Sequence, residues 1–297
     1  DAVRGRLAMG VRQLVVGDNP PVRDLDGPLE GDLGIFGPDS VTWEIHADAA
    51  VFVGGLRALF LQTMHPAAMA GVAEHSAYRS DPLGRLARTA TYVGVTTYGT
   101  VPEATRTIAA VRAGHERVVG RTPDGDPYAA NDPHLLTFVH HTLVDSLLRS
   151  HQRYGATRLT ERRADTYVAE MAVLADLFDA EPAATSVAEL RAWFANERGV
   201  LRGTSQARSA ARFLLTPPLP VAARPSYGVI AAAAVGLLPG SVRRSLWLPT
   251  VPFADPLVVR PAAEVLLRSL RWVMSGLPEV TTDPEGGDAT APDTEAA

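Results

Sequence analysis

Signals that start α-helices recur along this chain, and they constrain its fold more than any other feature. Asp81 and Asp132 each precede a proline, which places a capping residue before the first helical position. Thr100 and Glu103 have the spacing of a capping box, and a second box begins at Ser186. Between these signals apolar residues recur at intervals of three and four, and no run of useful length alternates as a strand would. The sequence therefore predicts an all-α fold. Its expected elements include one helix from Ser40 to about Met64, one from Thr100 to Gly120, and a loop from Pro239 to Pro256.

Length and composition predict one helical domain followed by a tail. The chain has 297 residues, 46% of them hydrophobic, enough to bury the core of one large domain, which we place at residues 1–276. Residues 277–297 carry six acidic and no basic residues, a composition typical of disorder. The formal net charge is -5, so the remaining residues sum to about +1. Such a nearly neutral body does not predict a nucleic-acid-binding protein.

Missing residue types and motifs exclude several functions. The chain has no cysteine, which excludes disulfide bonds, cysteine nucleophiles, cysteine-ligated iron–sulfur clusters and a thiolate-ligated haem. It also lacks a His-Glu-x-x-His zinc motif and the paired Glu-x-x-His motifs of di-iron bundles. No Gly-x-Gly-x-x-Gly motif follows a strand, so a dinucleotide-binding dehydrogenase is not predicted.

The hydrophobic segments predict no stable insertion into a membrane. Residues 49–64 are apolar but contain Arg57, and residues 227–238 are shorter than the roughly 20 residues that a bilayer requires. The first residues have no charged start followed by an apolar stretch, as a signal peptide would. We therefore expect a cytoplasmic protein, or a secreted one whose leader has been removed.

Four polar side chains share one face of the helix that is predicted to begin after Asp81. Arg85, Arg88, Thr89 and Tyr92 stand at i, i+3, i+4 and i+7, so two guanidinium groups, a hydroxyl and a phenol project together. This face is too polar for an ordinary core. It could supply hydrogen-bond donors to a cofactor or to an anionic group.

The next predicted helix places a histidine on its apolar side. His115 shares a stripe with Ile108, Val111 and Arg112. Taken alone, such a histidine is more often a hydrogen-bonded core residue than a ligand. Together with the polar face of the preceding helix it forms the two halves of a haem site, an axial imidazole on one side and donors for bound oxygen on the other.

These residues resemble the haem-b oxygenases of the latex-clearing-protein (rubber oxygenase) and MpaB family. The similarity extends from about Gly34 to Trp272, with the motifs in the same order. It rests on five segments, at residues 61–67, 81–92, 111–115, 128–133 and 139–146.

The resemblance implies globin-like core helices around haem b, with His115 as the proximal iron ligand. It also places Arg85, Arg88 and Thr89 on the distal side, where one arginine would meet oxygen and the other a haem propionate, in an order left open. Latex-clearing proteins have a lysine at the position of Arg88, whereas this chain contains no lysine. Arginine keeps the charge but does not readily give up a proton, so the resemblance does not imply rubber cleavage itself.

Two further histidines are candidates for the same site. His65 stands at a predicted helix break, where it either lines the pocket as a catalytic residue or caps a helix. His140 lies on an apolar helix face and is either an alternative axial ligand, a partner of the cofactor site or a buried hydrogen-bonded residue. We expect Tyr92 and Arg112 to contact the cofactor as well.

The sequence thus predicts a haem b-dependent oxygenase or oxidase that uses O2 on a small, mostly apolar organic substrate. One alternative keeps the haem but couples or desaturates a small natural product. Another is a non-catalytic, globin-like protein that binds haem and gas. Homo-oligomerisation is left open by the sequence.

Overall fold

A computed structural model describes residues 31–249 and 255–274, and helices dominate it. The predicted all-α fold is confirmed. The predicted tail at residues 277–297 lies outside the described residues. The α-helices within these two ranges are α1 (Val41–Ala47), α2 (Val51–Gln62), α3 (Pro66–His75), α4 (Pro82–Tyr98), α5 (Val101–His115), α6 (Pro133–Tyr154), α7 (Glu161–Leu177), α8 (Val187–Asn196), α9 (Ser205–Leu215), α10 (Arg224–Gly236), α11 (Gly240–Ser245) and α12 (Arg260–Met274).

One small hairpin interrupts the helices. Strands β1 (Val119–Arg121) and β2 (Pro127–Ala129) pair antiparallel, with Gly120 opposite Tyr128. Short 3-10 turns occupy Glu197–Gly199 and Val221–Ala223, and a π-helical turn at Asp255–Val259 leads into α12.

The predicted helix starts are present and their caps are formed. The carboxylate of Asp81 accepts from the backbone N–H of Gly84 at 2.9 Å and starts α4. Asp132 caps α6 in the same way. Thr100 and Glu103 form both halves of the capping box that starts α5. These local signals work because each satisfies backbone donors that the first helical turn leaves unpaired.

Three predicted boundaries were wrong. A single helix was expected from Ser40 to about Met64, but it breaks between α1 and α2 because Asp48 is extended and its carboxylate accepts from the N–H of Ala50 at 2.7 Å. Helix α5 ends at His115 rather than at Gly120, where β1 already pairs with β2. The expected loop from Pro239 contains the short helix α11.

Helices α2 and α6 pack side by side between two hydrophobic clusters. One cluster joins α2 to α9, α10, α11 and α12, and the other joins α1, α5, α6, α7 and α8. A buried ion pair crosses from α2 to α6, where Arg57 Nη2 lies 2.9 Å from Asp145 Oδ2. Arg57 also donates to the Ser146 hydroxyl at 2.7 Å and to the Leu237 carbonyl at 3.1 Å.

The last helix is attached to the beginning of the bundle. Arg271 on α12 donates twice to the Asp48 carboxylate, at 2.8 and 2.9 Å. The same carboxylate accepts from the N–H of Ala156, just after α6. Among the described residues, no helix combines the length and the apolar character needed to cross a bilayer.

Candidate functional site

Helices α4 and α5 form a hairpin that brings Arg85 and His115 to the same end. The two helices are joined only by Gly99 and Thr100, and they pack against each other in opposite directions. Arg85 lies nearly as far before this connection as His115 lies after it. The polar face and the histidine predicted from the sequence are therefore neighbours along the hairpin axis.

The end of α3 lies between these two halves. Arg85 donates to the hydroxyl of Ser76, the residue that follows α3. On the same helix, Gly71 faces the β-hairpin, because a Cβ there would lie 3.3 Å from Cγ1 of Val118. Val118 follows His115 by three residues. Helix α3 and the residue after it therefore contact both the start of α4 and the segment just after α5.

His115 is the last residue of α5 and is partly buried. Its Nδ1 atom is fully buried and has no hydrogen-bond partner among the described residues. Burial lowers the pKa of His115, and the Asn131 side chain acts in the opposite direction. The imidazole is therefore neutral at pH 7, which is the form that binds a metal.

The side chain of Asn131 lies beside His115 with its amide oriented. Its Nδ2 atom donates to the carbonyl of Arg112 at 3.0 Å, so its Oδ1 atom is the free end. This Oδ1 atom is also buried and unpaired within the described part of the chain. A proton on His115 Nδ1 that is donated to Oδ1 would satisfy both atoms, and it would leave Nε2 with a free lone pair.

Sequence reasoning gave no role to Asn131. Asn131 lies in residues 128–133, one of the segments that carry the family resemblance, and directly before the Asp132-Pro133 helix start, but neither signal fixes what its side chain meets. The contact with α5 depends on the β-hairpin, which folds residues 119–129 back onto the helix end.

Arg85 is a partly buried cation. Burial lowers its pKa, as does the nearby charge of Arg88, whereas Tyr78 raises it. Guanidinium groups stay protonated despite such shifts, so Arg85 keeps its positive charge.

The other members of the predicted polar face divide between solvent and interior. Arg88 and Thr89 are exposed, and Arg88 lies 3.3 Å from the Asp81 carboxylate. The Thr89 hydroxyl donates to the carbonyl of Arg85 at 3.0 Å. Tyr92 points inward, with its ring centroid 5.8 Å from that of Phe178, and burial raises its pKa.

Arg112 pairs with a carboxylate at the end of α7. Its guanidinium forms an ion pair with Asp179, next to the Phe178 ring that contacts Tyr92. Residues 178–179 therefore touch both helices of the hairpin. A cavity of about 300 Å³ opens beside this contact, and Ile108, Arg112 and Leu177 are among its lining residues.

His65 caps a helix, as one of its two predicted roles requires, and it also borders a cavity. Its Nδ1 accepts from the N–H of Ala68 at the start of α3, at 3.5 Å, and its ring lies 4.9 Å from that of Phe138. It borders a cavity of about 440 Å³ together with Tyr128 and His134. Burial lowers the pKa of His65.

His140 and its neighbour His141 have different surroundings. Burial and the neighbouring His141 lower the pKa of His140 to about 3, and its side chain forms no hydrogen bond to the described residues. His141 is buried, accepts from the N–H of Ala184 at 3.0 Å and packs edge-on against Trp193. The ring of His140 is therefore neutral and has nitrogen atoms free to bind a metal, as an alternative ligand requires. The ring of His141 is fixed by α8 and by the segment before that helix.

The donor set fits a porphyrin better than a bare metal ion. Within residues 31–249 and 255–274, no group of three or more histidine, aspartate or glutamate side chains is arranged to hold a metal. Haem iron needs only one or two protein ligands, because the porphyrin supplies four. A neutral His115 with an acceptor next to its Nδ1 atom meets that requirement.

Comparison with known proteins identifies the family of this chain. The sequence profile of a family described as "ER-bound oxygenase mpaB/B'/Rubber oxygenase, catalytic domain" matches residues 43–274. No curated protein and no solved structure matches the chain significantly. The matched range contains α2 to α12, both arginines of the polar face and all the candidate histidines. The chain therefore belongs to the mpaB/rubber oxygenase catalytic-domain family.

Proposed function

We propose that this protein binds haem b and acts with O2 as an oxygenase or oxidase on a small, mostly apolar organic molecule. The observation that carries the proposal is the buried, unpaired Nδ1 atom of His115 beside the unpaired Oδ1 atom of Asn131. Membership in a family of oxygenases supports the same class of reaction. When bound, haem would supply the redox-active iron that oxygen chemistry needs.

His115 would hold the iron through Nε2. Ligating histidines almost always donate their other ring N–H to an acceptor, which fixes the tautomer and raises the basicity of the ligand. Asn131 Oδ1 is that acceptor, and the hydrogen bond of its Nδ2 to Arg112 prevents the amide from turning. Burial of His115 keeps the ring neutral, so no proton competes for Nε2.

The polar end of α4 would supply positive charge and hydrogen-bond donors near the cofactor. Arg85, fixed by Ser76, would bring a positive charge into a partly buried place, where electrostatic interactions are stronger than in water. Arg88 would offer a cation to negative charge on the oxidant or on a propionate, and Thr89 would offer its hydroxyl by giving up its bond to the Arg85 carbonyl. Removing one such donor from an active site typically costs about 3 kcal/mol of barrier.

Apolar side chains beside the hairpin favour an apolar substrate. The cavity along α5 is bordered by Ile108, Ala109 and Leu177, and Tyr92 stands nearby as a neutral phenol. Thr105, Arg112 and Glu116 also border the cavity, so only this apolar side of it favours an apolar group of the substrate.

An absorption spectrum with matched variants tests the proposal. Purified protein supplied with haem b should give a Soret band at one haem per chain, and the band should shift on reduction with dithionite. His115→Ala should lose stable haem binding, whereas His140→Ala should keep it. A wild-type protein that never binds haem would refute the proposal, and the reverse behaviour of the two variants would move the ligand to α6.

A further inference from the structure

The charges of this chain are separated along its length. Residues 198–274 contain ten arginines and only two acidic residues, Asp255 and Glu264, a net charge of +8. Residues 1–197 contain 18 arginines and 25 acidic residues, a net charge of -7. Residues 198–274 are therefore a strongly basic stretch between an acidic N-terminal part and the acidic residues 277–297.

The most exposed large apolar side chains lie in this same part. Six of them are at least 58% exposed, whereas no other large apolar side chain in the described ranges exceeds 53%. Apolar side chains that are exposed next to one another on a soluble protein often mark a binding surface. The six are Val221, Trp247, Leu257, Val258, Val265 and Trp272.

The helices that carry these residues form one packed unit. Helices α9 to α12 share the hydrophobic cluster that lies against α2. On α12, Ala263 and Leu267 are buried in this cluster, whereas Val265 and Trp272, seven residues apart, share an outward face. The exposed Arg268 lies between them in sequence.

Cations and apolar groups are in direct contact on this unit. The guanidinium carbon of Arg208 lies 3.9 Å from the centroid of the Trp247 ring. Arg208 also donates to the Ser245 carbonyl at 3.0 Å, which fixes its position. Further arginines, at positions 202, 212, 224 and 244, are exposed on the same helices or next to them.

We propose that the outward face of α12 and the π-helical turn before it, where Leu257, Val258, Val265, Arg268 and Trp272 are exposed, docks on an anionic lipid membrane. Interfacial segments combine arginine with tryptophan and aliphatic residues, because the cations attract anionic headgroups while the apolar side chains enter the boundary with the acyl chains. Arginine stems also extend so that the charge stays in the headgroup layer. This docking does not depend on haem.

The charge makes a second copy of the chain a poorer partner. Two copies that met through this surface would bring together two segments of net charge +8, and like charges facing each other oppose association. A nucleic acid would match the arginines but would leave the aliphatic side chains of Leu257, Val258 and Val265 without a role. An anionic bilayer matches both kinds of group.

Co-sedimentation of the full chain with large vesicles tests the proposal. Vesicles that contain 30% phosphatidylserine in phosphatidylcholine should bind the protein, whereas pure phosphatidylcholine should bind it far less, and higher salt should release it. Tryptophan fluorescence should shift to shorter wavelength on binding. No binding, or equal binding to both kinds of vesicle, would overturn the proposal.

Matched variants locate the surface. Val265→Asp and Arg268→Glu should each weaken partitioning at least about fivefold, since one basic residue near an anionic surface changes it by about that factor. Val173→Asp and Arg162→Glu alter an exposed valine and an exposed arginine of α7 and should change it less than about twofold. Equal effects of the two pairs would overturn the assignment. A concentration-dependent dimer that Val265→Asp disrupts would give the surface to a second copy instead.

Discussion

The Nδ1 atom of His115 and the Oδ1 atom of Asn131 are complementary, buried and both unpaired within the described residues. Each would cost free energy if it stayed unpaired, about 1–3 kcal/mol by the usual penalty for a buried polar group. The proposed binding of a metal at Nε2 would select the tautomer that pairs them. In the proposed site, a donor at His115 Nδ1 and an acceptor at Asn131 Oδ1 would thus form a hydrogen bond when the ligand binds.

We predict that Asn131 tunes the electronic properties of the proposed haem ligand. Asn131→Asp should lower the reduction potential, because a carboxylate is a stronger acceptor and makes the imidazole more electron-rich. Asn131→Ala should weaken haem affinity about 10- to 100-fold, as for other partners of ligating histidines. Spectroelectrochemical titration measures the potential, and Asn196→Ala on α8 serves as the control. An unchanged potential in Asn131→Asp would contradict the assignment.

The two arginines of α4 should differ in what they contribute to stability. Arg85→Ala removes a partly buried cation bonded to Ser76 and should cost about 1–2 kcal/mol. Arg88→Ala removes an exposed pair with Asp81 and should cost less than about 1 kcal/mol. Urea unfolding of the haem-free protein measures both. Both variants should lower turnover about 100-fold or more if both donors act on the reaction.

Arg57 should be essential to the contact between α2 and α6. Arg57→Leu leaves Asp145 without its buried partner and should destabilise the protein by about 3–5 kcal/mol. Arg149→Leu removes the exposed partner of the same carboxylate and should cost less than about 1 kcal/mol. The free energy of unfolding in urea measures the two costs. Similar costs would mean that burial does not set the strength of the ion pairs that Asp145 forms.

Buried histidines should make the fold sensitive to acid. Burial lowers the pKa of His46 to about 4, and the pKa of His141 to about 4 as well, against an ordinary value of 6.5. Above pH 6.5 both rings are neutral whether the chain is folded or not, and their contribution to stability is fully present. As pH falls toward 4, the unfolded chain binds protons that the folded chain does not.

Each of these histidines should therefore reduce stability by up to about 1.4 kcal/mol per pH unit between pH 6.5 and 4. His141→Gln should make this dependence shallower, because glutamine does not titrate. Unfolding in urea at pH 5 and pH 7, in wild type and variant, measures the difference. Equal pH dependence in the two proteins would contradict the prediction.

Local signals in the sequence predicted the helix starts well. Asp81, Thr100 and Asp132 act within four residues of themselves, so their effect can be read from adjacent positions. The break at Asp48 could not be predicted in this way. Its carboxylate is held by Ala156 and Arg271, whose proximity depends on the packing of α6 and α12.

In the candidate site, too, some features follow from local sequence and others depend on how distant parts of the chain pack. His115 and the polar face of α4 follow from helical spacing, which sets which side chains project together. Asn131 could not be assigned, because its contact with α5 requires the β-hairpin to return the chain to the end of that helix. Which members of the polar face are exposed also depends on the neighbours of α4 and not on its own sequence. Arg88 turns to Asp81, whereas Tyr92 meets Phe178 after α7.

The hydrogen bonds of the Asp48 carboxylate join parts of the chain that the ribosome makes at different times. It receives donors from Ala50, Ala156 and Arg271, three positions spread over most of the chain. A ribosome releases the N-terminal helices long before Arg271 is made, so this junction stays open while the rest of the bundle is translated. Closure of this junction waits for the last helix, so a nascent chain that stalls before Arg271 would lack two of the hydrogen bonds that hold Asp48.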